Sequence, residues 1–444
     1  MYVFIKNGQI INEGKQYKSD ILIKNEIIVK IGENIEKPEN CEEFDAEGMI
    51  ILPGIIDTHV HFREPGLTEK ANIFSDSRAA AAGGITSFID MPNTIPPTLS
   101  IENLNVKFEI AKQNSIINYS FFLGAGNNNL NEILNVNPNE IAGIKIFMGA
   151  STGNMCVNNP EFLEEIFKQS KILIAVHCED DEIIKNNLLK YKRIYGEKIP
   201  IKFHSKIRSE EACLKSTMFA VKLAEKYNSK LHILHISTEK EINLLNNRLL
   251  GQKNLSTETC VNYLWFSEND YKKFGTKIKC NPAIKTEKDR LALIKSLKTG
   301  KIDTIATDHA PHTLEEKNNN YCEAPSGIPS IQHSLQMMID LFQKGYFSLP
   351  EIVKFMCHNP ADLFQIEKRG YLKENYFADI AIIKLNEAHE VNKSNIFYKC
   401  KWSPLENYIF NSKIIATFVN GKKVFNNNKI IETKNTKQLK FNRI

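Results

Sequence analysis

The chain has 444 residues, 42% hydrophobic and 25% charged, with a formal net charge of +5. That hydrophobic content at low net charge excludes a disordered chain. A total of 21 glycines excludes a collagen-like repeat, and no apolar run reaches the roughly 18 residues of a membrane span. Nine cysteines without a CxxC pair, behind an N-terminus that lacks the apolar core of a signal peptide, read as reduced thiols of a cytoplasmic protein.

Residues 1–52 read as short strands. YVFIKNGQII, DILIKNEIIVKIG and EEFDAEGMII alternate apolar and polar residues, and Asn7-Gly8 predicts a hairpin turn. Residues 53–365 alternate apolar strands with helical patterns such as the one over 210–228. The strand candidates are GIIDTHVH, ITSFIDMPN, INYSFFLGA, IAGIKIFM, KILIAVHCE, KLHILHIS, LSTETCVNYL and DTIATDHAP. Eight βα units predict a parallel (β/α)8 barrel of the TIM type; no GxGxxG follows the first strand, which argues against a doubly wound open sheet. Residues 366–444 return to strand texture in FADIAIIKL and ATFVNGKKVF, the latter turning at Asn420-Gly421. Two β pieces at opposite ends predict one small β-sandwich domain built from both. The Lys-rich end (Lys434, Lys437, Lys440, Arg443) reads as a solvated tail rather than a nucleic-acid arm.

Polar residues gather at the ends of the predicted barrel strands. Asp57, His59 and His61 fall at alternate positions, which predicts that all three share one strand face. His177, His235 and Asp308 end their own strands, and Lys145 lies inside IAGIKIFM. A barrel enzyme assembles its site from the C-terminal ends of several strands. Imidazoles and carboxylates suit Zn²⁺ and its neighbours. A protonated lysine is a poor ligand, but carboxylated by CO₂ it becomes an anion able to bridge two metals. His232 and His235 are offset by three, so only one is expected to face inward, and His235 is nearer the strand end. His309 is expected to point away, and His312 to lie in the loop over the mouth. His204, His333, His358 and His389 default to structural or surface roles. Residues 313–330, with KNNN and PSGIP, read as a mobile lid.

These motifs resemble the amidohydrolase superfamily, and within it the dihydroorotases of the long, binuclear-metal type. The resemblance covers nearly the whole chain, in LPGIIDTHVHFREPG (52–66), AAAAGGITSFIDMPNT (79–94), GIKIFMGASTGNM (143–155), AVHCED (175–180), LHILHIST (231–238), KCNPAIKTEKDR (279–290) and ATDHAPH (306–312). It implies two Zn²⁺ per chain. His59, His61 and Asp308 would bind the first, His177 and His235 the second, and carboxylated Lys145 would bridge them. A hydroxide between the metals would be the nucleophile, with Asp308 as general base and then general acid. Arg63, Asn93, Asn281 and His312 would hold the substrate, Arg63 presenting a planar fork to its carboxylate. The implied reaction interconverts L-dihydroorotate and N-carbamoyl-L-aspartate in pyrimidine biosynthesis. A small-molecule substrate is thus the implied partner, without nucleic acid or membrane, and with a homodimer left open. Cys156 departs from the pattern in GASTGNMCVNN, where a small apolar-like residue is expected to be harmless. The competing readings are another cyclic amidase, such as a hydantoinase, dihydropyrimidinase or allantoinase, and a non-catalytic scaffold, which predicts missing ligands.

Overall fold

In a computed structural model of the protein, residues 1–149, 155–157 and 159–443 are described. The chain opens with β1 (Tyr2–Asn12), β2 (Lys15–Lys24), β3 (Ile27–Gly32), β4 (Cys41–Asp45) and β5 (Ile50–Pro53). The first three pair antiparallel in order, while β4 and β5 run parallel to β1. Asn7-Gly8 does not turn the chain. It lies inside β1, where the register against β2 slips between Ile5 and Gly8 and Asn7 takes φ 63°. A bulge uses the same left-handed residue types as a hairpin turn, so the dipeptide alone does not separate the two. The first turn falls instead at Glu13-Gly14, with φ 49° and 74°.

Eight parallel strands follow: β6 (Ile55–Val60), β7 (Ile85–Asp90), β8 (Asn118–Gly124), β9 (Gly143–Met148), β10 (Ile174–Cys178), β11 (Leu231–Ile233), β12 (Leu255–Cys260) and β13 (Thr304–Ala306). They neighbour one another in that order. The ring nearly closes, because Val60 bridges His309 and the His61 N–H donates to the His309 carbonyl at 2.7 Å. This is the barrel that the strand–helix alternation predicts. The helices between strands carry their own boundary signals. The helix Glu210–Tyr227 starts where the Ser209 side chain accepts from the Ala212 N–H and stops at left-handed Asn228. The helix Glu287–Lys298 starts at a reciprocal Thr286–Asp289 capping box. No helix among the described residues is long and apolar enough to cross a membrane.

The chain then completes its first sheet with β14 (Ile380–Glu390), β15 (Ile409–Val419), β16 (Lys422–Asn426) and β17 (Lys429–Ile430). β14 pairs antiparallel with β5, Ile380 opposite Pro53 and Ile383 opposite Ile50. Asn420-Gly421 makes the β15–β16 turn, as predicted. This separate sheet has its own core, including Ile5, Ile21, Ile23, Ile51, Ile382 and Phe418. Gly54 alone separates β5 from β6. A Cβ there would lie 2.2 Å from Thr86 Oγ1, so the step from sheet to barrel requires glycine.

The C-terminal stretch is not a solvated tail. Leu439 and Phe441 are buried in a cluster with Phe122 and Phe364, and Leu439 N–H donates to the Tyr119 carbonyl at 2.9 Å. Arg443 donates to the carbonyls of Pro138 and Ile141 at 3.0 and 2.8 Å. Reading the lysines as a solvated run overlooked the apolar residues alternating between them, which strap the segment to the barrel.

Candidate active site

All ten residues singled out from the sequence line one pocket of about 70 Å³: His59, His61, Arg63, Asn93, Lys145, His177, His235, Asn281, Asp308 and His312. Three of them, Arg63, His235 and Asp308, take φ 64°, 41° and 47°. Non-glycine residues rarely hold this left-handed backbone, and such strain concentrates at functional sites. It also shows why strand periodicity fails here: the chain kinks where the side chains must converge.

The periodicity error is visible at β6. Asp57 does not share the pocket with His59 and His61. Its carboxylate accepts from Thr307 Oγ1 at 2.6 Å and from the backbone N–H groups of Thr307 and His59, both at 3.2 Å. Burial raises its pKa to about 7. Asp57 therefore stitches β6 to the segment carrying Asp308, while the neighbouring Thr58 hydroxyl donates to Glu258 at 3.0 Å. A similar kink affects the β11 pair. His235 lines the pocket as expected, but His232 also approaches Glu258, at 3.8 Å, because the chain leaves strand geometry after Ile233.

His59, His61 and Asp308 converge tightly, with ligand-capable atoms all within 4.8 Å of one another. Asp308 Oδ1 lies 3.3 Å from His59 Nε2 and 3.1 Å from His61 Nε2. Each imidazole is oriented from behind. His59 Nδ1 meets Glu258 at 2.8 Å and His61 Nδ1 meets Asn93 Oδ1 at 2.7 Å. Burial disfavours charge on His59, but Asp308 and Glu258 outweigh it and raise the pKa. Burial dominates at His61, whose pKa falls to about 4. On Asp308, burial is outweighed by the adjacent histidines, which hold the carboxyl well below its ordinary range.

Across the pocket, His177 Nδ1 lies 2.9 Å from His235 Nε2, and His177 Nε2 lies 3.1 Å from Glu179. Arg208 in turn holds Glu179 through Nε at 3.0 Å. Burial lowers the pKa of both imidazoles. Lys145 lines the same pocket, 1% exposed, and its Nζ has no hydrogen-bond partner among the described residues. The Phe147 ring centroid lies 4.4 Å from Nζ. Burial lowers its pKa to about 7. A buried amine left unsatisfied costs free energy unless another group completes it. The convergent histidines, the carboxylate and this orphaned nitrogen fit a two-cation centre bridged by a carboxylated lysine.

The remaining residues form the opposite wall. Arg63 is 5% exposed. Its Nε donates to the Pro311 carbonyl at 3.1 Å and its Nη2 meets His312 Nε2 at 3.1 Å, which leaves further donors of the fork for a ligand. Asn281 Oδ1 is buried without a partner among the described residues. Trp402, carried between β14 and β15, donates to the His312 carbonyl at 2.8 Å, so the C-terminal part of the chain helps seat the wall. The 313–330 segment is tied down rather than free as expected of a mobile lid. Lys317 is fully buried and donates to the carbonyls of Lys279, Pro325 and Gly327 at 3.0, 2.9 and 2.9 Å. Gly327 has φ 150°, and a Cβ on it would stand 2.2 Å from the Ala310 carbonyl oxygen. Of the GASTGNMCVNN run, residues 150–154 and 158 lie outside the described residues. As expected, His309 points away from the pocket, its Nε2 2.9 Å from Asp76.

Sequence reasoning missed Glu258, Glu179 and Arg208. The two acids had a legible signal, since each is a charged residue within or directly after an otherwise buried strand. Arg208 had none, because it precedes a helix in a loop.

A parallel barrel with polar and titratable side chains converging at its strand ends defines an enzyme-type scaffold with a candidate metal centre. The amidohydrolase family pattern matches residues 50–424, and the chain belongs to this family. It is 31% identical over 416 residues to a dihydroorotase of Methanosphaera stadtmanae, covering 93% of this chain and 94% of the relative. It is 32% identical over 431 residues to an allantoinase of Bacillus velezensis, covering 95% and 94%. Among solved structures, the L-hydantoinase (dihydropyrimidinase) from Arthrobacter aurescens aligns with TM-score 0.93 at 26% identity, covering 99% of this chain and 100% of that one.

Proposed function

We propose that this hydrolase of cyclic amides is a dihydroorotase, interconverting L-dihydroorotate and water with N-carbamoyl-L-aspartate in pyrimidine biosynthesis. The observation that carries the reading is Arg63. It is a buried guanidinium on the pocket wall whose hydrogen-bond partners among the described residues are a carbonyl and an imidazole, not a carboxylate. A guanidinium so placed suits the free carboxylate that distinguishes dihydroorotate from hydantoin, dihydrouracil and allantoin.

In this reading His59, His61 and Asp308 would hold one divalent cation and His177 and His235 a second, with Lys145, once carboxylated, as a further anionic ligand. Zn²⁺ suits this donor set. Bound there, such cations would supply Lewis-acid polarisation of the amide carbonyl and a more acidic water. Asp308 shares Oδ1 with the two imidazoles. That leaves Oδ2 to take the proton of the attacking water and deliver it to the departing ring nitrogen. Arg63, with Asn93, Asn281 and His312, holds the carboxylate end so that the scissile bond faces Asp308.

The test is a substrate panel on metal-analysed protein: L-dihydroorotate, dihydrouracil, hydantoin and allantoin. The highest kcat/KM is expected on dihydroorotate, with about two metal ions per chain. A preference for any of the neutral substrates overturns the reading.

A further inference from the structure

Behind the wall that carries Ser326 and Gly327 lie two buried lysines. Lys317 is 0% and Lys279 8% exposed. Lys317 Nζ donates to three carbonyls, and one of them belongs to Lys279. Lys279 Nζ donates back to the carbonyls of Tyr321 and Ala324 at 2.7 and 2.5 Å and lies 4.6 Å from the Tyr321 ring centroid. The Gly327 N–H donates to the Lys279 carbonyl at 2.8 Å. The two side chains thus clamp the segment to the loop that carries Asn281.

Every acceptor in this clamp is a neutral carbonyl. Among the described residues neither lysine makes an ion pair, and the nearby Glu316 is engaged by Lys70 at 2.7 Å. Burial pushes the Lys317 pKa down to about 7 and that of Lys279 to about 8, but three acceptors around Lys317 Nζ use three N–H donors, which only the ammonium form has, so these bonds favour the proton that burial would remove. A purely mechanical clamp needs no charge, and burying one is costly unless an opposite charge offsets it. Arg63 adds a third cation on the pocket side and, among the described residues, also lacks a carboxylate hydrogen-bond partner. Gly327 joins the two regions, since it lines the pocket while its carbonyl is held by Lys317.

We propose that Lys317, supported by Lys279, is a specificity-determining positioning residue, a buried cation behind Gly327 that favours an anionic substrate over neutral cyclic amides. This rests on the anionic-substrate reading of the same site given above. The charge acts through the wall and touches no reacting atom, so its influence falls on binding.

The test compares wild type with Lys317→Met, which keeps the length of the side chain and removes its charge. The readout is the ratio of kcat/KM on dihydroorotate to kcat/KM on dihydrouracil. The ratio is expected to fall on the order of tenfold, about 1.4 kcal/mol, with the loss carried by KM. If Lys317→Met does not fold, Lys279→Met removes the partner charge and is expected to lower the same ratio. An equal loss on both substrates, leaving the ratio unmoved, means that the clamp is only mechanical and overturns the inference while sparing the dihydroorotase reading. A wild-type preference for dihydrouracil sinks both.

Discussion

Replacing Glu258 by Gln tests how the barrel would prepare the cation site proposed at His59, His61 and Asp308. Glu258 is fully buried on β12. Its Oε1 lies 2.8 Å from His59 Nδ1 and its Oε2 accepts from Thr58 Oγ1 at 3.0 Å. A carboxylate can only accept here, so an imidazole proton sits on Nδ1, which leaves Nε2, 3.3 Å from Asp308 Oδ1, as the nitrogen able to bind a cation. The substituted amide keeps the shape and a carbonyl acceptor but loses the negative charge, and with it part of the basicity of His59. Outer carboxylates of this kind are worth about 10- to 100-fold in metal affinity, or roughly 1.4–2.7 kcal/mol. The assay is a titration of metal-free protein with Zn²⁺ against a chromophoric chelator. One of two binding steps is expected to weaken by that factor while the other, at His177 and His235, stays near wild type. Wild-type affinity at both steps in Glu258→Gln would refute the argument that this carboxylate sets the tautomer and strength of His59.

Three further outcomes follow from the geometry. Arg63→Ala is expected to cost about 2–5 kcal/mol of transition-state binding on dihydroorotate, the range for truncating one partner of a buried charge pair, with both metals retained; Arg63→Lys is expected to be impaired too, because the fork is lost. Near-normal kcat/KM in Arg63→Ala would assign the carboxylate to another group. Lys145→Ala is expected to lower bound zinc from two per chain, read by elemental analysis, with partial rescue of activity by added acetate; full zinc occupancy without rescue would dismiss the bridge. Leu439→Ala is expected to cost about 2–5 kcal/mol of stability, the range for a leucine truncated in a packed core, while kcat/KM stays near wild type. An unchanged Tm would return the C-terminus to the status of a loose tail.

The barrel was legible because each strand is a short apolar run followed by a helical pattern, and its chemistry was legible because His177, His235 and Asp308 break those runs at their ends. What escaped was local geometry. Alternation placed Asp57 beside His59, yet the strand is irregular at this point and Asp57 serves the neighbouring backbone. Composition made the last lysines a tail, although Leu439 and Phe441 between them carry the packing. Spacing along the chain also says nothing of Glu258 and Arg208, whose partners lie far away in sequence: His59 is 199 positions from Glu258 and Glu179 is 29 from Arg208.

The pairing of β5 with β14 sets an order on synthesis. Pro53 faces Ile380, so the two halves of that ladder leave the ribosome 380 − 53 = 327 residues apart. At about 5–20 residues per second, this is a wait of roughly 16–65 s. Throughout it the backbone donors and acceptors of one side of β5 have no native partner, and the barrel must grow beside an unfinished sheet edge. Edges of this kind pair readily with other chains. A nascent chain that stalls before β14 therefore presents an open strand edge to its neighbours, which makes this joint a place for chaperones to protect.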